Sequence, residues 1–121
     1  TYPIWEEKTI DQALAYTVAN IDKVRKALPD VELVIGELGW ATTASEFGTR
    51  ASEENQLRYF TEMSAWGAEH DVTMFWFEAF DEKWKGDPNN PLGAEKHWGL
   101  FDVERRPKLV MRDLYAELVP D

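Results

Sequence analysis

The chain has 121 residues and a formal net charge of −10, and both numbers exclude classes of protein. The length allows at most one ordinary domain with a hydrophobic core. The negative charge argues against nucleic acid and anionic membranes as partners, because Lys and Arg make the contacts with phosphates. The sequence has no apolar run of the roughly 20 residues that a membrane span needs. It has no cysteine for disulfides or thiolate chemistry.

The first half of the chain predicts an extended segment, a helix and a strand, in that order. Residues 2–5 include a proline and are expected to be extended, since the residue before proline avoids the helical region. A capping-box pattern begins at Thr9, and apolar residues then recur at helical spacing as far as Leu28. Residues 31–35 predict a short strand, and Gly36 the start of a loop.

The second half predicts two further helices and a second strand. A loop rich in Thr, Ser and Gly precedes Ser52, which is expected to cap a helix with acidic residues in its first turn. Residues 72–77 are nearly all apolar, as in a strand covered on both faces. A long polar loop over 81–99 leads to a last helix, which begins near Pro107 and continues as far as residue 118.

This alternation of helices and strands is typical of βαβ units in a parallel sheet. A complete (β/α)8, or TIM, barrel needs roughly 250 residues, so we predict an α/β partial barrel, about its last two to three βα units. The whole chain, 1–121, is then the C-terminal portion of a barrel domain, and its start at Thr1 predicts a fragment or a processed piece. Because a partial barrel leaves sheet edges unpaired, we expect a homo-oligomer or pairing with a missing N-terminal barrel half.

Two carboxylates, Glu37 and Glu78, follow the two predicted strands. Active sites of parallel α/β folds lie at the carboxyl ends of strands, and adjacent strands are about 4.8 Å apart. The two groups can therefore approach the separation of about 5–5.5 Å found in retaining glycosidases, one as nucleophile and the other as acid. The alternative is that each glutamate caps a strand or pairs with Lys85 or Arg50. The two histidines are far apart in the sequence, so no metal site is predicted.

Six tryptophans are unusual for a chain of this length. The indole is a broad apolar plate that suits the C–H face of a sugar ring. Trp66 falls inside a predicted helix, where packing in the core is the expected role. For the four in loops or at strand ends, the sequence leaves core packing and sugar stacking open: Trp5, Trp40, Trp84 and Trp98.

Four blocks, in this order along the chain, carry a resemblance to a known family: Ile35–Trp40, Ala51–Gln56, Phe77–Lys85 and His97–Asp102. Together they resemble the C-terminal region of glycoside hydrolase family 17, especially its bacterial branch. These enzymes are β-1,3-glucanases and related β-glucan transglycosylases. The resemblance also covers Asn55 and Gln56, for which packing at the helix start is expected ahead of substrate contact.

The resemblance implies a (β/α)8 barrel and a retaining mechanism, with Glu37 as the nucleophile at the end of strand seven. The charged cluster after strand eight implies that Glu78, Asp81, Glu82 and Lys85 bind sugar hydroxyls, with Lys85 near the nucleophile. Glu78 is thereby moved from the acid role that spacing suggested to substrate binding. The aromatic residues that the resemblance places along the substrate cleft are Tyr2, Trp5, Trp40, Trp84 and Trp98.

The family's general acid lies on strand four, which would precede Thr1. The resemblance therefore implies a piece that carries the nucleophile but not the acid, and that is weak or inactive alone. The alternative is an inactive half-barrel that self-assembles, or that binds glucan without turnover. The implied partner is a β-glucan or an oligosaccharide, no cofactor is implied, and the family favours an extracellular or periplasmic location.

Overall fold

A computed structural model of the chain describes residues 1–119. The last two residues of the predicted domain, 120–121, lie outside that range. The elements are three α-helices, two β-strands and three single turns of 3-10 helix at Gly48–Arg50, Ala94–Lys96 and Ala116–Leu118. In chain order the helices and strands are α1 (Ile10–Ala27), β1 (Val34–Leu38), α2 (Glu53–Glu69), β2 (Thr73–Trp76) and α3 (Leu109–Leu114).

Local capping explains where the two long helices begin. The backbone N–H of Thr9 donates to Oε1 of Gln12 at 3.1 Å, which satisfies a donor at the start of α1. Ser52 caps α2 through its own side chain, because its Oγ accepts from the N–H of Asn55 at 3.0 Å. The predictions of both helices and of their caps are confirmed.

The two strands pair in parallel, with Val34 opposite Thr73 and Ile35 opposite Met74. The position predicted for the first strand was wrong by about three residues, since β1 is Val34–Leu38 and not 31–35. Pairing continues beyond Gly36, because the carbonyl of Leu38 accepts a hydrogen bond from the N–H of Phe77 at 2.7 Å. The strand therefore extends to the carboxyl side of Glu37.

The last helix is shorter than predicted. α3 ends at Leu114, and only its first turn is buried, at Val110 and Met111. Leu114 and Leu118 are exposed, so no packing partner covers the rest of the predicted apolar stripe. The helix stops where that burial stops, which agrees with the view that packing contributes most of a helix's stability.

One face of the sheet is covered by α1 and α2, and the other is open. The covered side includes Ile35 and Leu38, which join residues of both helices in one hydrophobic core. On the open side Val34 is 46% exposed and Phe75 is 60% exposed. The architecture is thus an α/β layer with a two-stranded parallel sheet, consistent with part of a barrel. No helix within residues 1–119 has the length and apolarity for a membrane crossing.

Candidate active site

An irregularity in β1 controls where Glu37 points. The register shifts between Ile35 and Leu38, and both of these side chains are buried although they are three positions apart. Strict alternation would place Glu37 on the same face as Ile35, against the helices. Instead Gly36 and Glu37 are both exposed. The bulge therefore turns the carboxylate away from the core, as bulges near functional sites commonly do.

Tyr2 fixes the direction of this carboxylate. Its hydroxyl donates to Oε2 of Glu37 at 2.7 Å. The ring is held by edge-on contacts with Phe77 and Trp98, with centroid distances of 5.9 and 5.1 Å. The N-terminal ammonium of Thr1 also donates to the backbone carbonyl of Glu37. An exposed carboxylate held in this way can act as a nucleophile or as a general base.

Glu78 lies beyond the end of β2 and is paired with Lys85. Nζ of Lys85 is 2.5 Å from Oε2 of Glu78, and both side chains are mostly buried. The ammonium also lies 4.5 Å from the centroid of the Phe77 ring. The resemblance placed Lys85 near Glu37, but its ion-pair partner in the structure is Glu78, in agreement with the alternative that a glutamate pairs with Lys85. The other carboxylate oxygen, Oε1 of Glu78, is buried and has no partner within the described part of the chain.

The phenol of Tyr2 is bonded to Glu37, and its pKa is also affected by the charges of two further carboxylates. Burial raises the pKa of Tyr2 well above its usual value, and the hydrogen bond to Glu37 and the charges of Glu37, Glu95 and Glu78 raise it further. Tyr2 therefore stays a neutral donor at ordinary pH. Glu95 was not among the site residues that the sequence indicated. Its position just before the His97–Asp102 block was the only signal that could have found it.

Two of the expected cleft tryptophans lie in the core. Trp40 is fully buried, packs against Tyr59 and donates its indole N–H to the carbonyl of Arg50 at 2.9 Å. Trp98 is buried to the same degree and packs edge-on against Tyr2. The placement of both along an open cleft was therefore wrong, because an indole with neither face exposed cannot stack on a sugar. Trp66 is partly buried against the core, as its helical spacing predicted.

The other two tryptophans are exposed, at different places. Trp5 packs edge-on against Phe47, with a centroid distance of 4.5 Å. Trp84 is 76% exposed and donates its indole N–H to Oε2 of Glu82 at 2.8 Å. Nζ of Lys85 is 5.6 Å from the centroid of the Trp84 ring, which places this indole beside the Glu78–Lys85 pair. Glu82 and Trp84 thus extend the site along the loop after β2.

Asp81 has a structural role that the sequence did not indicate. It is buried, and its Oδ1 accepts from Nζ of Lys108 at 2.7 Å and from the N–H of Gly99 at 2.9 Å. His97 lies 3.7 Å from its other oxygen. Oδ1 of Asp81 is therefore occupied by two donors of the protein, which gives this residue a role in holding its own loop, and its contact with sugar hydroxyls stays a prediction. Within residues 1–119 no group of three or more acidic or histidine side chains is arranged to hold a metal ion.

Comparison with known proteins gives consistent results at the levels of sequence and structure. Residues 1–99 match a family described as the BtgE/BtgC glycoside hydrolase domain. A glucan 1,3-beta-glucosidase from Arthroderma benhamiae is 33% identical to this chain, covering 88% of the chain and 39% of the relative. The chain therefore spans well under half the length of this curated relative.

Solved structures agree with this match. The glycoside hydrolase family 17 beta-1,3-glucanosyltransferase from Rhizomucor miehei superposes with a TM-score of 0.80 and 29% identity, covering 91% of this chain and 40% of that one. An active-site mutant of the same enzyme in complex with laminaritriose gives a TM-score of 0.79. An endo-laminarinase from Formosa gives 0.76 with 31% identity, covering 89% of this chain and 30% of that one. The chain belongs to the BtgE/BtgC glycoside hydrolase family, which confirms its resemblance to family 17.

Proposed function

We propose that this chain is the nucleophile-bearing part of a retaining glycoside hydrolase that acts on β-1,3-glucan. The observation that carries the proposal is the carboxylate of Glu37, which is exposed at the carboxyl end of a parallel strand and held by Tyr2. The printed names of the relatives, a glucan 1,3-beta-glucosidase and a beta-1,3-glucanosyltransferase, support the choice of substrate.

The proposed chemistry is a double displacement. A carboxylate oxygen of Glu37 attacks the anomeric carbon, and the bond from that carbon to the leaving sugar oxygen breaks as the oxygen gains a proton from a general acid. We place that acid on a part of the barrel that these 121 residues do not include. Water then attacks the glucosyl-enzyme and releases the sugar, or the hydroxyl of another sugar does so in a transglycosylase.

Substrate binding is assigned to residues beside Glu37. Oε1 of Glu78 has no partner within residues 1–119, which leaves it as an acceptor for a sugar hydroxyl. Because this oxygen is buried in the structure, the hydroxyl reaches it only when the side chains that cover it move. Lys85 holds the other oxygen of Glu78 and so orients the group. The exposed ring of Trp84, fixed by Glu82, offers a stacking plate further along the same loop.

The proposal is tested by trapping the covalent intermediate. A 2-deoxy-2-fluoro-laminaribiosyl fluoride transfers its sugar to a retaining nucleophile and releases fluoride. Fluoride leaves without protonation, so the reaction needs no general acid. Incubation of the chain should add one fluorosugar mass, located by peptide mapping at Glu37, and Glu37→Gln should not be labelled. A matched control is Glu62→Gln, which changes a carboxylate paired with Arg58 on α2 and should label like the wild type. Labelling at another residue, or none, would contradict the assignment.

A second candidate is an inactive half-barrel that self-assembles or binds glucan without turnover. It is favoured by the open face of the sheet, where Val34 and Phe75 are exposed. In a complete barrel the other strands cover an apolar face of this kind. In a self-assembled half-barrel a second copy of the chain would cover it. Sedimentation should therefore show self-association that weakens in Phe75→Ser. A stable, soluble monomer would contradict self-assembly, and glucan binding without labelling would favour this candidate over catalysis.

A further inference from the structure

Gln56 is a polar side chain in the core, between the two segments that bear the site glutamates. It lies in the first turn of α2 and is 0% exposed. Its amide nitrogen, Nε2, lies 3.1 Å from the carbonyl of Trp40, 3.1 Å from that of Gly99 and 3.4 Å from that of Trp98. The first carbonyl follows β1, and the other two belong to the segment that runs beside Glu78.

The chemistry of these neighbours determines which atom of the amide faces them. Carbonyl oxygens only accept hydrogen bonds, so the group among them must be the NH2 and not the amide oxygen. Its two hydrogens serve three acceptors, of which the carbonyl of Trp98 is the most distant. The amide oxygen is buried without a partner within residues 1–119. Because an incompletely satisfied amide is costly in a core, packing alone does not account for glutamine at this position.

The hydrogen bonds continue from Gln56 to Glu78. The carbonyl of Trp98 also accepts from the N–H of Glu78 at 3.3 Å, and the carbonyl of Glu78 accepts from the N–H of Leu100 at 3.0 Å. β2 ends at Trp76, so regular sheet pairing does not extend as far as Glu78. The backbone at Glu78 is therefore positioned chiefly by residues 98–100, and Gln56 holds that segment.

The same amide holds the other side of the site. Trp40 is three residues beyond Glu37. The backbone between them packs closely against the backbone of Phe77, so that a Cβ on Gly39 would meet the carbonyl of Phe77. We infer that Gln56 is a positioning residue that sets the distance between the segment of Glu37 and that of Glu78. This inference rests on the proposed function, because the spacing of the two carboxylates matters only if Glu37 reacts with the sugar that Glu78 binds.

The test measures the rate of covalent labelling of Glu37 by the fluorosugar fluoride in three variants of the 121-residue chain. Gln56→Met keeps the length of the side chain and removes both donors. Gln56→Glu keeps the shape, with one donor when the carboxyl is neutral and none when it is ionised. Tyr59→Phe is the matched control, because it removes a buried hydrogen bond to Thr17, 2.8 Å long, but keeps the ring that packs against Trp40 and leaves the contacts of Gln56 unchanged. Circular dichroism and thermal melting confirm that each variant is folded at the temperature used.

A positioning role predicts a specific kinetic pattern. Gln56→Met should lower the limiting labelling rate by about ten- to a hundredfold with little change in the reagent concentration at half-saturation, because misplacement affects the reacting geometry more than binding. Gln56→Glu should fall further below the wild type as pH rises and its carboxyl ionises. Tyr59→Phe should melt earlier but label at the wild-type rate.

The outcomes separate this inference from the proposed function. If the wild type is labelled and every folded Gln56 variant is labelled at the same limiting rate, Gln56 only packs and the inference is overturned. A rate loss equal to that of Tyr59→Phe would overturn it as well, since general destabilisation would then explain both. Absence of labelling in the wild type would overturn the proposed function, and the inference with it.

Discussion

Replacing Lys108 by methionine removes the positive partner of a buried ion pair and tests how the loop after β2 is held. Nζ of Lys108 lies 2.7 Å from Oδ1 of Asp81 and 2.7 Å from Oγ1 of Thr42, and each charged side chain is 7% exposed. Burial lowers the pKa of Lys108, while its hydrogen bond to Asp81 acts in the opposite direction. The substitution leaves the carboxylate of Asp81 buried with one hydrogen-bond donor, the N–H of Gly99, and with His97 nearby.

The expected loss of stability is large. Removing one partner of a buried ion pair costs about 3–5 kcal/mol, because the remaining charge is uncompensated. Domains of this kind are stable by about 5–15 kcal/mol, so the variant loses a substantial fraction of the total. With a urea dependence of about 1–3 kcal/mol/M, the unfolding midpoint should fall by at least about 1 M.

The size of the loss should depend on pH through His97. The neighbouring carboxylate of Asp81 raises the pKa of His97, whereas burial and the charge of Lys108 oppose that rise. A raised pKa in the folded state gives stability that is present below the unfolded value of about 6.5 and is lost as pH rises through the folded value. Without Lys108 this imidazolium becomes the nearest positive charge to Asp81. The loss in Lys108→Met should therefore be smaller at about pH 5.5 than at about pH 8.5.

The assay is urea unfolding followed by tryptophan fluorescence at both pH values. The double variant Asp81→Asn/Lys108→Met is the control, because it removes both charges and keeps an acceptor for Gly99. It should be more stable than Lys108→Met alone. A single variant within about 0.5 kcal/mol of the wild type, or a double variant less stable than the single one, would refute this account of the pair.

Three further predictions concern single contacts. Tyr2→Phe removes a charge-assisted hydrogen bond to Glu37, commonly about 1.5–3 kcal/mol, so fluorosugar labelling should slow by about tenfold or more; an unchanged rate would show that the phenol does not orient the carboxylate. Gly39→Ala places a Cβ against the carbonyl of Phe77, and a backbone carbonyl cannot move aside as a side chain can. Urea unfolding should therefore show a loss of about 1–3 kcal/mol in the free energy of unfolding, and wild-type stability would contradict this. Ser52→Ala removes the cap of α2 and should cost about 1 kcal/mol in the same assay while labelling stays at the wild-type rate; slower labelling would mean that the cap affects the site.

The parts of the fold that could be predicted are those with a local cause. Thr9 and Ser52 are capping residues with their partners three positions away, so both helix starts can be read from short segments. The end of the last helix is not local, because α3 stops where its burial against the rest of the chain stops. The residue types in β1 likewise predict a strand, but not the pairing at Leu38 that extends it.

For the candidate site, residue type was predictable and surroundings were not. The sequence singled out Glu37, Glu78 and Lys85. In the structure Tyr2 bonds to Glu37 and packs against Phe77, the residue before Glu78, and Glu78 pairs with Lys85. The sequence offered Lys85 as a partner for either glutamate but could not decide between them, because the choice depends on how the folded chain places the two carboxylates. The sequence also could not show that Trp40 and Asp81 are buried, because the residue type alone does not distinguish a core position from a cleft position.

The irregularity in β1 leaves two adjacent residues of the strand exposed, Gly36 and Glu37, and only the second has a side chain beyond hydrogen. A Cβ added at Gly36 would meet nothing within 4 Å, whereas one added at Gly39 would meet backbone. Gly36 is therefore the place beside the carboxylate of Glu37 where a new side chain fits without moving the strand. Substitution there offers a direct route to changing the surface beside Glu37, and under the proposed function to changing which sugars bind there.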